Sequence, residues 1–179
     1  MRKILKNRLA LSTVVTTLII LVVSVLLAGV VTYFAINVVS TRVQQESLTL
    51  TFPHIWVDKA GSTEAAVLIT NTGGRDVVIE AIQIRGVAGA FGTNVYYKSL
   101  TTAPSDLTPE NTTSLTETTT QPLTLASGSM MEIYITNPTG VSIQDVGTTI
   151  GLTVFTAQAL YYQETNVQTT TDTLPIPAV

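Results

Sequence analysis

LALSTVVTTLIILVVSVLLAGVVTYFAINVVST, residues 9–41, carries no charged side chain, and its reading decides how the rest of the chain is read. The hydrocarbon core of a bilayer takes about 20 apolar residues as a helix. Val and Thr favour helix weakly in water, but in lipid a lone segment must satisfy its own backbone N–H and C=O groups, and only a helix does so. Working upstream, Arg2, Lys3, Lys6 and Arg8 are four of the nine basic residues, whereas the first acid is Glu46. The basic end therefore stays in the cytoplasm and everything beyond the helix lies outside. A secretory signal has an apolar region of about 7–15 residues before a small-residue cut; this run is far longer and has no such cut at its far end. Continued through Arg42, Gln44, Gln45 and Glu46, the helix is expected over residues 11–47, roughly 55 Å at about 1.5 Å per residue. That exceeds a hydrocarbon core of about 30 Å even with tilt. A simple anchor gains nothing from the extra apolar turns, whereas a helix that packs among other helices uses them all. Ser24, Ala28 and Thr32 recur every four residues with Gly29 beside them, a small-residue stripe that lets helix backbones approach closely.

At the near boundary, KNRLALS (residues 6–12) sets a basic residue and then small and apolar residues on the cytoplasmic side of the run. This arrangement resembles the class III signal of archaeal type IV pilins, carried here by Arg8, Leu9 and Ala10 and by LSTVVTTLIILVVSVLLAGVV from Leu11 onward. Where bacterial relatives carry a glutamate at the fifth mature position, Val15 stands here, and archaeal members often lack that glutamate. The resemblance implies a basic leader over residues 1–10, cut between Ala10 and Leu11 by a prepilin peptidase-like membrane protease. The helix of residues 11–47 then waits in the cell membrane and afterwards bundles with copies of itself, giving a homopolymeric extracellular filament on the cell surface. The other reading of the same helix is a monomeric membrane-anchored surface protein with an immunoglobulin-like binding domain.

Beyond Ser47 the pattern changes to short apolar runs broken by turn residues. Strands are expected at Leu48–Val57 with an interruption at Pro53, Glu64–Asn71, Asp76–Arg85, Asn94–Leu100, Met130–Thr136, Thr148–Thr156 and Leu160–Val167. In the third, the alternation runs through Val78, Glu80, Ile82 and Ile84. The paired glycines of NTGGRD mark a turn, because glycine reaches positive φ without steric cost. A phosphate loop is excluded there, since the following VVIEAIQI is a strand pattern and not a helix start. AAVLITNTGGRDVVIEAIQIRG also resembles the strand–turn–strand near the start of the extracellular sandwich in archaeal pilins. The expected fold is thus α+β overall: one long N-terminal hydrophobic α-helix, then an antiparallel immunoglobulin-like β-sandwich over residues 48–179. Residues 101–124 hold ten threonines with Pro104, Pro109 and Pro122 and no apolar periodicity, and read as a long surface loop. Asn111-Thr112-Thr113 within it is an N-glycosylation acceptor sequence.

Chemistry is thinly represented. Without cysteine there is neither a disulfide framework nor a thiolate metal site. The acidic balance beyond residue 45 repels phosphate backbones, so nucleic acid is not an expected partner. The single histidine, His54, shares a strand face with Asp58 at the two-residue period, but no third ligand accompanies them and the pair reads as packing beside Trp56. No pair of carboxylates stands in an apolar context, and no hydroxyl nucleophile has a histidine other than His54. Neither enzymatic activity, a cofactor nor a metal site is expected.

Overall fold

The computed structural model describes residues 2–43, 45–110, 115–117 and 122–174. The chain divides into two units, Met1–Val43 and Gln44–Val179. The first is a single helix, α1, Arg2–Val43, of 42 residues, about 63 Å long at about 1.5 Å per residue. It takes in the basic leader as well as the apolar run, and it ends before Ser47, where the sequence pattern put its end. The reason lies in the second unit. The Ser47 carbonyl oxygen accepts the amides of Thr72 and Gly73 at 2.9 and 3.0 Å, and the Thr156 hydroxyl donates to the Glu46 carboxylate. Residues 46 and 47 are thereby held by the β-rich unit and are no longer free to continue the helix.

That unit is one curled, mixed sheet. Its strands are β1 Leu48–Val57, β2 Thr63–Asn71, β3 Val77–Ile84, β4 Val87–Ala88, β5 Val95–Leu100, β6 Thr116–Glu117, β7 Leu123–Leu125, β8 Met130–Thr136, β9 Thr149–Thr156 and β10 Leu160–Thr169. The order is β4-β3-β9-β10-β1-β2-β8-β5-β6, with β7 also pairing to β3. Every named pair is antiparallel except β1 with β10, which run parallel in the register Ile55↔Val167 to Val57↔Thr169. The expectation of a purely antiparallel sheet is corrected at this point. β10 pairs with β9 over Leu160–Asn166 and with β1 over its last three residues, so it joins the two halves of the sheet. Alternating apolar residues carry no mark of strand direction, which is why this pairing is not legible from the pattern.

One core lies inside the curl. Ile55, Val67, Ile133 and Ile135 from β1, β2 and β8 meet Ile79, Ile82, Leu152 and Val154 from β3 and β9. All eight are 2% exposed or less, and each such side chain contributes about 1.5–3 kcal/mol by leaving water. Two irregularities keep the inward faces in phase. In β1 the ladder to β2 slips between Thr51 and His54, where Phe52 has a φ of 50° and Pro53 has no N–H to give. In β3 the register to β9 shifts between Ile79 and Ala81. The buried residues of β3 are therefore Val77 and Ile79, then Ile82 and Ile84, with Val78 only half-buried, unlike the unbroken alternation expected.

The turn after β2 also works differently from expectation. Neither Gly73 nor Gly74 has positive φ. Instead, a Cβ on Gly73 would lie 2.7 Å from both the Gln45 carbonyl oxygen and the Ser47 nitrogen. Glycine at 73 is demanded by the close passage of the incoming chain, and the Asn71 side chain fixes the turn by accepting the Gly73 amide at 3.0 Å and donating to the Arg75 and Leu125 carbonyls. Gly73→Ala is expected to destabilise the β-rich unit by about 1–3 kcal/mol, because both clashing atoms are backbone. Chemical denaturation followed by Trp56 emission checks this, with Gly74→Ala as the milder comparison.

Candidate functional site

Two features outside the core are candidates. The first is α1 itself. Within it, Ser12–Thr41 is a 30-residue span long and apolar enough to cross a membrane, and every side chain along it is exposed in the isolated chain. It is apolar all round, with no polar face to turn to water. Several of its polar side chains fold back onto their own backbone. Ser24 donates to the Ile20 carbonyl and Thr32 to the Ala28 carbonyl, both at 2.7 Å. Thr16, Asn37 and Thr41 bond the carbonyls of Ser12, Tyr33 and Asn37 in the same way. The stripe of Ser24, Ala28, Gly29 and Thr32 thus presents carbon and small volume, with its hydroxyls already satisfied. A Cβ on Gly29 would meet nothing within 4 Å, so no packing among the described residues calls for glycine there. Arg8, Ala10 and Leu11 lie inside α1. Asn111 lies outside the described residues.

The second feature is the outer face of β1, β2, β8 and β5. Residue pairing lays it out in rows: Trp56, Glu64 and Thr136; then Ala66, Tyr134 and Tyr96; then Leu68, Glu132 and Lys98. This face is covered. Leu107, from the threonine-rich segment, and Leu174 pack with Trp56, Ala66, Leu68 and Tyr134 into a second apolar cluster. The segment expected to be a surface loop is, over residues 104–110, a strap laid on the sheet. Its polar contacts are specific. The Tyr134 hydroxyl donates to the Thr108 carbonyl at 3.3 Å, and the Glu110 amide donates to Glu64 Oε1 at 3.3 Å. Lys98 Nζ pairs with Glu110 Oε1 at 3.4 Å, and His54 Nε2 with Asp106 Oδ1 at 2.8 Å.

His54 also stacks on Trp56, with ring centroids 5.1 Å apart. Its carboxylate partner is Asp106, and Asp58 is used elsewhere, accepting the Ser62 amide at 2.8 Å and the Leu174 amide at 3.4 Å. Among the described residues no three His, Asp or Glu side chains converge to hold a metal ion.

Two acids that sequence reasoning passed over are buried here. Glu64 is 0% and Glu132 5% exposed. Burial raises the Glu64 carboxyl to about 7; the Glu110 amide opposes the rise and the Glu110 charge adds to it. Burial also raises Glu132, against the nearby Lys98 charge, and raises Tyr134. The hydrogen bond from His54 holds Asp106 below the usual carboxylate range. The available signal was each acid's place inside an apolar strand, TEAAVLIT and MMEIYIT, which are buried on both faces.

No protein-family model matches the chain, and neither does any curated protein. Among solved structures it is similar to a β-glucosidase from Listeria innocua in complex with glucose, at 13% identity and a TM-score of 0.26. The match covers 69% of this chain and 16% of that one; a likeness at that level carries no argument about fold or activity.

A carboxyl raised on folding binds more protons in the folded state, so its contribution to stability is greatest at low pH and is lost as pH rises. For Glu64 the loss runs from 4.5 to about 7, with up to about 3 kcal/mol at stake. The carboxyl carbon of Glu64, followed by NMR, is expected to titrate near 7. Glu64→Gln should flatten the fall in urea stability between pH 5.5 and about 7.

Proposed function

We propose that this chain is a structural subunit of a type IV pilus-like filament, a pilin, that polymerises through α1. The observation that carries the reading is the exposed 30-residue apolar span. It is longer than the roughly 20 residues a bilayer requires, and the polar groups of Ser24, Thr32 and Asn37 are satisfied within the helix. A helix of that kind packs in a dry bundle without stranding an unpaired polar group or charge. Ser24, Ala28, Gly29 and Thr32 are its contact stripe, and the β-rich unit is carried on the outside. In this reading the curled sheet is an immunoglobulin-like head of the kind found in archaeal pilins, and the protein has a structural role without enzymatic chemistry. Arg8, Ala10 and Leu11 form the processing boundary for a prepilin peptidase-like protease. Asn111 is a glycosylation site on the outer surface.

The test is the mature N-terminus, read by mass spectrometry on sheared surface material that is also viewed by electron microscopy. Leu11 as first residue, in filaments that contain this protein, is the expected result. An intact Met1 on a membrane-retained monomer contradicts the reading and leaves the anchored binding protein. Substituting Arg8 and Ala10 together should abolish processing. The intact mass of the same material should exceed that of the bare polypeptide if Asn111 is glycosylated.

A further inference from the structure

We propose that residues 104–110 form a proton-gated strap, shut over the outer face of the sheet while Glu64 is protonated and released when Glu64 loses its proton. The proposal is independent of whether the chain polymerises.

The geometry isolates one carboxyl beneath the strap. Glu64 lies on β2 between Trp56 of β1 and Thr136 of β8. It is fully buried, and while Oε1 accepts the Glu110 amide, Oε2 has no hydrogen-bond partner among the described residues. A neutral acid tolerates that position; a carboxylate with a bare oxygen and no cation to neutralise it does not. The other charged and titratable groups around this face offer no relief. The strap contributes Glu110, whose charge opposes that of Glu64, and Asp106, bound to His54 of β1. β8 contributes the buried Glu132 and Tyr134, whose hydroxyl is given to Thr108. Lys98 of β5 lies opposite Glu132 and pairs with Glu110. Asp58, at the end of β1, is occupied by the amides of Ser62 and Leu174.

Ionised Glu64 therefore gains most by meeting water, and the way to water is to lift the strap that covers it. Lifting breaks contacts that include the Leu107 side chain, the Tyr134 and Glu110 hydrogen bonds, and the ion pairs of Asp106 and Glu110. The strands beneath keep their ladders. The closed form binds the proton, so opening becomes easier as pH rises. Between the ordinary carboxyl value of 4.5 and the buried value of about 7, the opening equilibrium shifts by up to about tenfold per pH unit, and above that it is level. What opening exposes is a face of Trp56, Tyr96 and Tyr134 flanked by two carboxylates.

Trp56 is the single tryptophan of the chain and is 5% exposed under the strap, so it reports opening directly. In the full chain in detergent micelles, its acrylamide quenching constant should rise several-fold from pH 5.5 to about 7 and stay level to pH 9. Glu64→Gln should hold it low throughout, and His54→Gln, which removes the stacked ring, should leave the rise in place. A flat wild-type profile overturns the proposal, and so does an equal rise in Glu64→Gln. Should Glu64→Gln fail to fold, hydrogen exchange across residues 101–110 of the wild type decides. After correction for intrinsic rates, protection lost over the same pH window supports the strap, and unchanged protection overturns it.

Discussion

A helix with no polar face must be surrounded by something other than water, and this constraint governs the organisation of the chain. From Ser12 to Thr41 the helix is apolar apart from a few polar side chains, of which Thr16, Ser24, Thr32, Asn37 and Thr41 return their polar groups to the preceding turn. Such a segment is stable in lipid or among other helices, where its backbone bonds are already complete. The consequence for the fold is a division of labour. The β-rich unit builds its core from its own strands, and the apolar side chains of Ser12–Thr41 are exposed.

Within the β-rich unit, β2 sets the terms. All of its residues except Thr70 are buried, on both faces of the sheet. The inner face is answered by the curl, closed through the parallel contact of β10 with β1. Among the described residues no second sheet lies on the outer face, which is covered by Leu107 and Leu174. A strand buried on both sides leaves no wet position for an acid, so Glu64 is desolvated by the same packing that makes the face stable. The proton on Glu64 and the closure of the strap are thereby two aspects of one burial.

Much of this was legible where a local rule had no tertiary competitor. Met130–Thr136 is a strand with the bounds its pattern indicates, and β1 spans Leu48–Val57 with its irregularity at Pro53, because proline cannot donate to a ladder. What escaped depended on distant partners. The bulge in β3 moved the inward face from Val78 to Ile79, a one-residue slip that alternation alone does not signal. Gly73 reads as a turn glycine, yet it answers to Gln45 and Ser47, which the chain brings alongside only in the folded unit. The strap was hidden because a single leucine, Leu107, in a polar threonine-rich segment has no periodicity to reveal it. Glu64 and Glu132 stand inside apolar strands, which was a signal, but the covering of their outer face by Leu107 and Leu174 comes from distant segments that alternation does not place.

The central claim is that the exposed surface of α1 is a contact between copies of this chain. Because the chain contains no cysteine, a single Ala28→Cys substitution places one thiol on the small-residue stripe. Oxidative cross-linking of that variant in surface filaments, with Phe34→Cys as a second position on the helix, is the most direct measurement. The account predicts covalent dimers of the full chain that form efficiently through residue 28 in filaments and disappear when they are dissociated in detergent before oxidation. Monomer alone at residue 28, in cells that display the protein on their surface, would contradict it.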